Sequence, residues 1–261
     1  MTITKHELKQ ARNSWLIWTV SIAFLIAICI FMYPEMSKEM NSFGDMFASM
    51  GSFSDAFGLD KLNFGTFIGF YAIECGNILG LGGAFFAAMI GAAALAKEEK
   101  DKTAEFLFAH PISRTRVITE KLVSVLILIL LMNVVVFGCS VLSAQVAIGE
   151  IPWKEMWLMH GAYLLLHLEL AGICFGISAF IIKGSLGIGM GLACLVYFLN
   201  LMANMTDKMK FLKWFTPFAY CEGADIISDG ALDVKYIAAG MVVMIICLIA
   251  GYIHYTQKDL R

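Results

Sequence analysis

Charged residues are scarce in this chain of 261 residues. Only 15% of its residues are Asp, Glu, Lys or Arg, whereas 59% are hydrophobic. A water-soluble domain of this size needs more polar surface, so the composition excludes an ordinary soluble protein. The formal net charge of −2 gives no basic surface for nucleic acid, and we predict no nucleic-acid partner.

Proline and catalytic motifs are also scarce. Four prolines leave few positions at which a helix is forced to break. The patterns GxSxG, HExxH and GxxxxGK[ST] do not occur in the sequence. The seven cysteines are odd in number and lack CxxC spacing, so we interpret them as small apolar-core residues. We therefore predict that the chain is not an enzyme, has no catalytic residues and binds neither a metal nor a cofactor of its own.

Long apolar runs dominate instead. Six of them reach the length of about 17–25 residues that a membrane-spanning helix needs. They predict an all-α integral membrane protein, a single domain over 1–261, with spans at about 15–33, 64–96, 122–148, 157–182, 186–205 and 236–255. As one helix the second run would be about 50 Å long, so we expect it to tilt, to break near Gly76–Gly83 or to project from the membrane. Residues 2–14, with Thr4 as a possible N-cap, are expected to form a separate interfacial helix.

The distribution of Lys and Arg predicts the orientation of these spans. With the N-terminus inside, twelve Lys and Arg lie on the cytoplasmic side and seven lie outside. This arrangement places both termini and segment 97–120 in the cytoplasm, and segments 34–62 and 206–235 on the outer side. We predict a multi-pass protein of the plasma membrane that is in contact with lipid. The membrane expected is the inner, or cytoplasmic, membrane of a bacterium.

Polar side chains inside the predicted spans are candidates for a translocation pathway. They are Glu74, Asn133, His167 and Glu169. A charged side chain at the bilayer centre costs roughly 2.5–3.5 kcal/mol, so it usually faces a cavity or a partner. Hydrogen bonding between helices is the alternative for all four residues.

Two further patterns concern helix packing. His160, Tyr163 and His167 share one helical face, which favours a hydrogen-bonded seam over a metal site. Two pairs of glycines have GxxxG spacing, which predicts close helix packing; they are Gly76 with Gly80 and Gly187 with Gly191.

A charged island between the second and third spans is the most distinctive segment. It contains the run Glu98-Glu99, then Thr103-Ala104-Glu105-Phe106-Leu107, then His110-Pro111-Ile112-Ser113-Arg114, and finally Lys121. This run resembles the cytoplasmic signature of the permease subunits of type-2 ATP-binding-cassette (ABC) transporters. The stretch Thr216–Tyr220 after the fifth span also resembles that family, whereas Lys102 replaces a glycine that is usual before the threonine.

The resemblance implies a permease subunit of an exporter, in which segment 97–120 is a coupling helix. Two permease subunits would pair, as a homodimer or a heterodimer, and each would dock a separate ABC ATPase that carries ATP and Mg. The residues expected to contact the ATPase are Glu98, Glu99, Thr103, Glu105, Phe106, Leu107, Phe108, Pro111 and Arg114. Phe106–Phe108 form an apolar ridge that can enter a groove, and the charges around it can fix its register.

Two other functions remain open from the sequence. An ion-coupled secondary transporter or channel would use Glu74 and Glu169, and its transport would not depend on ATP. An immunity or sensor protein of the membrane would transport nothing. The substrate, whether peptide, drug, lipid or ion, is not predicted by these residues.

Overall fold

Helices form almost all of the protein. The computed structural model describes residues 2–48, 51, 54, 56, 62–63, 65–100, 112–181 and 185–257, and no residue within these ranges lies in a β-strand. Six helices are long and apolar enough to cross a membrane. The prediction of an all-α membrane protein with six spans is therefore confirmed.

The helices follow one another along the chain. We number the α-helices α1 (Thr2–Ala48), α2 (Phe67–Cys75), α3 (Gly82–Lys100), α4 (Arg114–Ala147), α5 (Trp153–Ser178), α6 (Ser185–Met205), α7 (Gly223–Asp229) and α8 (Val234–Gln257). Two 3₁₀-helices, Asp207–Phe215 and Pro217–Tyr220, lie between α6 and α7.

The second span changes its helical form at the glycine-rich stretch. A π-helix over Gly76–Leu81 joins α2 directly to α3. Of the three alternatives for this long run, the expected break near Gly76–Gly83 is found only as a change of helical form, since the helix widens there without a gap. Such π-helical turns are rare and often occur at functional sites.

The N-terminal part differs from the sequence-based expectation. Residues 2–14 continue without interruption into the first span, because α1 is one helix from Thr2 to Ala48, with Pro34 inside it. The separate interfacial helix is therefore absent from the described residues, and Thr4 is not an N-cap. Residues 34–48, expected to be an outer loop, prolong the same helix.

Helix α5 occupies the centre of the bundle. Two thirds (67%) of its most apolar stretch is buried, against 28% for α1 and α6 and 6% for α8. It packs extensively against α3 and α8. Gly176 lets the backbones of α5 and α8 touch, since a Cβ at this position would lie 2.2 Å from the Cys247 carbonyl oxygen of α8. The exposed apolar faces of α1, α6 and α8 are left for lipid or for another protein.

The segment between α6 and α8 folds back into the bundle. Pro217, Phe218, Ala219, Tyr220 and Cys221 are all buried. Thr216 starts this turn: its hydroxyl donates to the Val196 carbonyl oxygen at 2.7 Å and accepts from the Phe218 amide at 3.2 Å. The predicted turn at Thr216-Pro217 is confirmed.

Candidate functional site

A cluster of paired charges lies where the predicted coupling segment leaves the bundle. Lys121, only 1% exposed, donates to Glu7 Oε1 at 3.0 Å and to the Ala94 carbonyl oxygen at 2.9 Å. Lys97 donates to the other Glu7 oxygen and to Gln10 Oε1. One carboxylate on α1 thus joins the end of α3 to the start of α4.

A second carboxylate of the cluster caps the N-terminus of α1. Glu120 Oε2 accepts from the backbone amides of Ile3 at 3.0 Å and Thr4 at 3.1 Å, and the Thr4 hydroxyl donates to the Glu120 carbonyl oxygen. Arg116 Nε donates to Glu120 Oε1 at 3.0 Å. The first amides of a helix have no partner within the helix, so an acceptor from a neighbouring element stabilises that end. We call Glu7, Lys97, Lys121, Glu120 and Arg116 the loop-base cluster.

The residues predicted to contact an ATPase are placed only in part. Glu98 and Glu99 lie in the last turn of α3, and Arg114 is the half-buried first residue of α4. The others lie outside the described residues; they are Thr103, Glu105, Phe106, Leu107, Phe108 and Pro111. Their role stays a prediction.

Two of the four candidate pathway residues meet in the centre of the bundle. Asn133 and His167 are hydrogen-bonded, with 3.1 Å between Asn133 Nδ2 and His167 Nδ1. His167 Nε2 lies 3.1 Å from the carbonyl oxygen of Leu79 in the π-helix. These contacts join α4, α5 and the π-helix, and they satisfy both polar side chains.

The two acidic candidates lie elsewhere. Glu74 is half-buried and accepts from the Cys29 thiol of α1, at 3.7 Å. Glu169 is fully buried against α8, where a Cβ on Gly240 would lie 2.0 Å from its Oε2. The Tyr220 hydroxyl is its polar neighbour, although no hydrogen bond within the described residues reaches either carboxylate oxygen. No contact in the described part of the chain joins Glu74 or Glu169 to Asn133 or His167.

The predicted polar seam along α5 is confirmed. His160 Nε2 lies 2.6 Å from the Tyr71 hydroxyl, and the Tyr163 hydroxyl donates to the Cys221 carbonyl oxygen at 3.3 Å. With His167, these bonds connect α5 to α2, to the π-helix and to the segment that follows α6.

The two glycine pairs differ. Gly76 and Gly80 pack on Tyr163, which lies 3.1 Å from a Cβ at either position, so close packing is confirmed there. For Gly187 and Gly191 the prediction of close packing is wrong among the described residues, because a Cβ at either position would meet none of their atoms within 4 Å. Gly189 packs in their place, 2.7 Å from the Ala88 carbonyl oxygen.

A small polar cavity, which the sequence reasoning missed, lies at the far end of α6. We call it the Glu222 cavity; its volume is about 70 Å³. Its walls come from the second span, from α5 and α6, and from the buried turn, and they include Asn77, Tyr163, Tyr197, Asn200, Phe218 and Glu222.

Hydrogen bonds fix the carboxylate in this cavity. Glu222 Oε1 accepts from the side-chain amides of Asn200 and Asn204, the latter at 2.6 Å. Partial burial raises the pKa of Glu222 above the ordinary value of 4.5, although the two amides act in the opposite direction. The only signal in the sequence was a carboxylate next to the Thr216–Tyr220 stretch.

A comparison with protein families settles what kind of protein this is. Residues 1–260 match the family described as ABC-2 family transporter protein. The chain belongs to that family. No curated protein matches the chain in sequence. The resemblance of the charged island is thus confirmed, and this ABC-2 family member is a multi-pass membrane component of a transporter.

Proposed function

We propose that this ABC-2 family chain is the permease subunit of an exporter. A separate ABC ATPase docks on segment 97–120, hydrolyses ATP with Mg on its own surface, and drives export through a pair of permease subunits. The complex contains two permease chains and two ATPases. Both termini lie in the cytoplasm, and the membrane is the plasma membrane, in a bacterium the inner membrane.

The observation that carries this proposal is the loop-base cluster. Helix α3 ends at Lys100, three residues after Lys97, and α4 begins at Arg114, seven residues before Lys121, and both lysines pair with Glu7 of α1. A force on the segment between these two helices therefore reaches three spans at once through short contacts. Buried polar networks in which every member is bonded are stiff, which suits the transmission of a movement.

The test is purification of the chain from its native membrane, with identification of any ATPase that copurifies. We expect Phe106→Ala and Leu107→Ala to weaken ATPase binding by about 1–3 kcal/mol, as truncated interface anchors do. Glu105→Lys reverses the charge at the same surface, and the resulting charge clash is expected to uncouple hydrolysis from transport. The matched control is Phe24→Ala, which truncates a 61% exposed aromatic side chain on α1, away from the segment.

The proposal depends on the difference between these variants. Equal copurification of the ATPase with wild type, Phe106→Ala, Leu107→Ala and Phe24→Ala would show that segment 97–120 is not the docking site. Transport without any ATPase would contradict the whole assignment.

The buried carboxylate of Glu169 supports a second candidate function. A carboxylate without a hydrogen bond in the described structure, deep in a membrane protein, is suited to carrying a proton or a cation. If ions drive transport, Glu169→Gln and Glu74→Gln alter transport but leave expression and assembly intact. Variants that only destabilise the protein, or change nothing, would assign both carboxylates to packing.

A further inference from the structure

We infer that the Glu222 cavity binds an organic ammonium group, the charged part of the exported substrate. That the ammonium group belongs to an exported substrate rests on the proposed function, whereas the existence of the binding site does not. Three features of the cavity carry it: a carboxylate lines it, a buried acceptor oxygen of Asn200 has no partner within the described residues, and three aromatic rings form part of its walls.

The acceptors come from three side chains. Asn200 is 5% exposed, donates its amide to Glu222, and leaves its buried Oδ1 without a partner within the described residues. A flipped amide would place that oxygen against the carboxylate, so the assignment of donor and acceptor is fixed. Glu222 Oε1 is bonded twice, whereas no described donor reaches Oε2. The Tyr163 hydroxyl uses its proton on the Cys221 carbonyl oxygen and keeps its lone pairs.

Such a set of atoms selects a cation or a strong donor. Among the described residues, Lys213 is the lysine whose charge acts on Glu222, and its Nζ lies 3.6 Å from Asp225 Oδ2, so that charge is shared with another carboxylate. The described residues contain no group of three or more His, Cys, Asp or Glu that could hold a metal ion. One carboxylate with neutral oxygens is weak ligation for a divalent metal and suits a monovalent cation.

Aromatic walls favour an organic ammonium over sodium. The rings of Tyr197 and Phe218 lie edge to face with their centres 5.4 Å apart, and both residues line the cavity with Tyr163. A ring face attracts an ammonium group within about 6 Å, and apolar walls accept its carbon atoms. Sodium would lose its water there and gain few oxygens in return.

The site also lies along the second span. Gly76 and Asn77, in the π-helix, form part of the cavity wall, and Lys97 of the loop-base cluster is on the same helical rod. About twenty residues separate the two places, a distance of about 30 Å along the helix. A ligand in the cavity is thus joined by one helical rod to the segment on which we propose that the ATPase docks.

The test uses the purified permease in lipid nanodiscs, without any ATPase. Methylammonium chloride and sodium chloride are titrated separately into potassium phosphate at constant ionic strength, and the midpoint of thermal unfolding is measured. We expect saturable stabilisation by methylammonium, with a dissociation constant at least about tenfold higher in Glu222→Gln. Asp233→Asn removes an exposed negative charge outside the cavity, one paired with Lys235, and we expect it to stay within about threefold of wild type.

A second pair of variants gives an independent result if Glu222→Gln fails to fold. Tyr197→Phe keeps the ring and is expected to keep binding, whereas Tyr197→Leu removes the ring and is expected to lose it. No saturable effect of methylammonium, an equal effect of sodium, or equal affinities in wild type and Glu222→Gln would overturn the inference. If binding is found but no ATPase ever copurifies, the site stands and the export proposal fails.

Discussion

The two ends of the helical bundle use charge in opposite ways. In the loop-base cluster, Glu7 meets Lys97 and Lys121, and Glu120 meets Arg116 and two backbone amides. In the Glu222 cavity, about 30 Å away along the second span, the acceptor Asn200 Oδ1 has no partner in the described structure. Paired charges hold helices in place, whereas unmatched acceptors beside a cavity are suited to a ligand.

The difference gives each cluster its own expected response to mutation. Removal of a paired charge strands its partner in the bundle, so the loss appears as lower stability. Glu222→Gln keeps an oxygen for the Asn200 and Asn204 amides and removes only the charge, so we expect the protein to keep most of its stability and to lose the ligand. The predictions below test this distinction, from the largest expected effect to the smallest.

The largest effect is expected for Lys121→Met. Lys121 is fully buried and bonds both Glu7 and the Ala94 carbonyl oxygen, so its loss leaves a carboxylate and a carbonyl less satisfied. Breaking a buried pair costs about 3–5 kcal/mol. The measurement is the midpoint of thermal unfolding of the purified permease in nanodiscs. Lys9→Met, at an exposed position of α1 two residues after Glu7, is the control and is expected to change little.

A double variant sharpens this prediction. Glu7→Leu together with Lys121→Met removes both members of the pair, and we expect it to recover part of the stability, because an apolar pair can replace a buried ion pair. A stability of Lys121→Met equal to that of Lys9→Met would show that the pair holds nothing together.

These contacts also show how far the sequence could predict the structure. Apolar run length predicted six spans, and the glycine cluster predicted the irregularity that became the π-helix Gly76–Leu81, because both depend on neighbours along the chain. Glu7 and Lys121 are 114 positions apart, and no periodicity links them. Lys121 was recognised as part of the charged island, but its role inside the bundle came only from the structure.

The candidate site was predicted less well for a related reason. Asn133 and His167 were predicted as candidates because they are polar residues within apolar runs. The two side chains bond each other, and His167 also bonds the Leu79 carbonyl oxygen. Glu222 was overlooked because its segment reads as an outer loop, whereas Pro217–Cys221 in fact fold back among the spans. Spacing alone also could not distinguish Gly187, which faces open space, from Gly189, which packs on Ala88.

A moderate effect is expected from pH on ligand binding. Methylammonium needs the ionised form of Glu222, whose pKa is raised above 4.5 by partial burial. Affinity is then lost as the pH falls through that raised pKa, by up to about tenfold per pH unit below it, and regained as the pH rises. Among the described residues, the other titratable groups that face Glu222 are Lys213, Asp225, Cys221, Tyr163 and Tyr197.

Two variants identify the group responsible for this pH dependence. Titrations of methylammonium between pH 4 and 8 are expected to give weak, pH-independent binding for Glu222→Gln and a wild-type profile for Asp233→Asn, whose carboxylate pairs with Lys235 at an exposed position. A wild-type profile in Glu222→Gln would assign the pH dependence to another group. It would contradict the distinction between a ligand-binding end of the bundle and an end held together by paired charges.

The smallest effect is expected at the cap of α1. Glu120→Ala removes the acceptor from the Ile3 and Thr4 amides, and loss of a helix cap costs about 0.5–2 kcal/mol. Glu120→Gln keeps an acceptor oxygen at the same place and is expected to lose less. Hydrogen exchange measured over residues 2–8 distinguishes this local effect from general destabilisation. A local effect lowers protection only for the amides near the cap, whereas general destabilisation lowers it throughout the protein. If Glu120→Ala kept wild-type protection in that segment while Lys121→Met lost it, Glu7 alone would fix the N-terminus of α1, and the loop-base cluster would reduce to Glu7 with its two lysines.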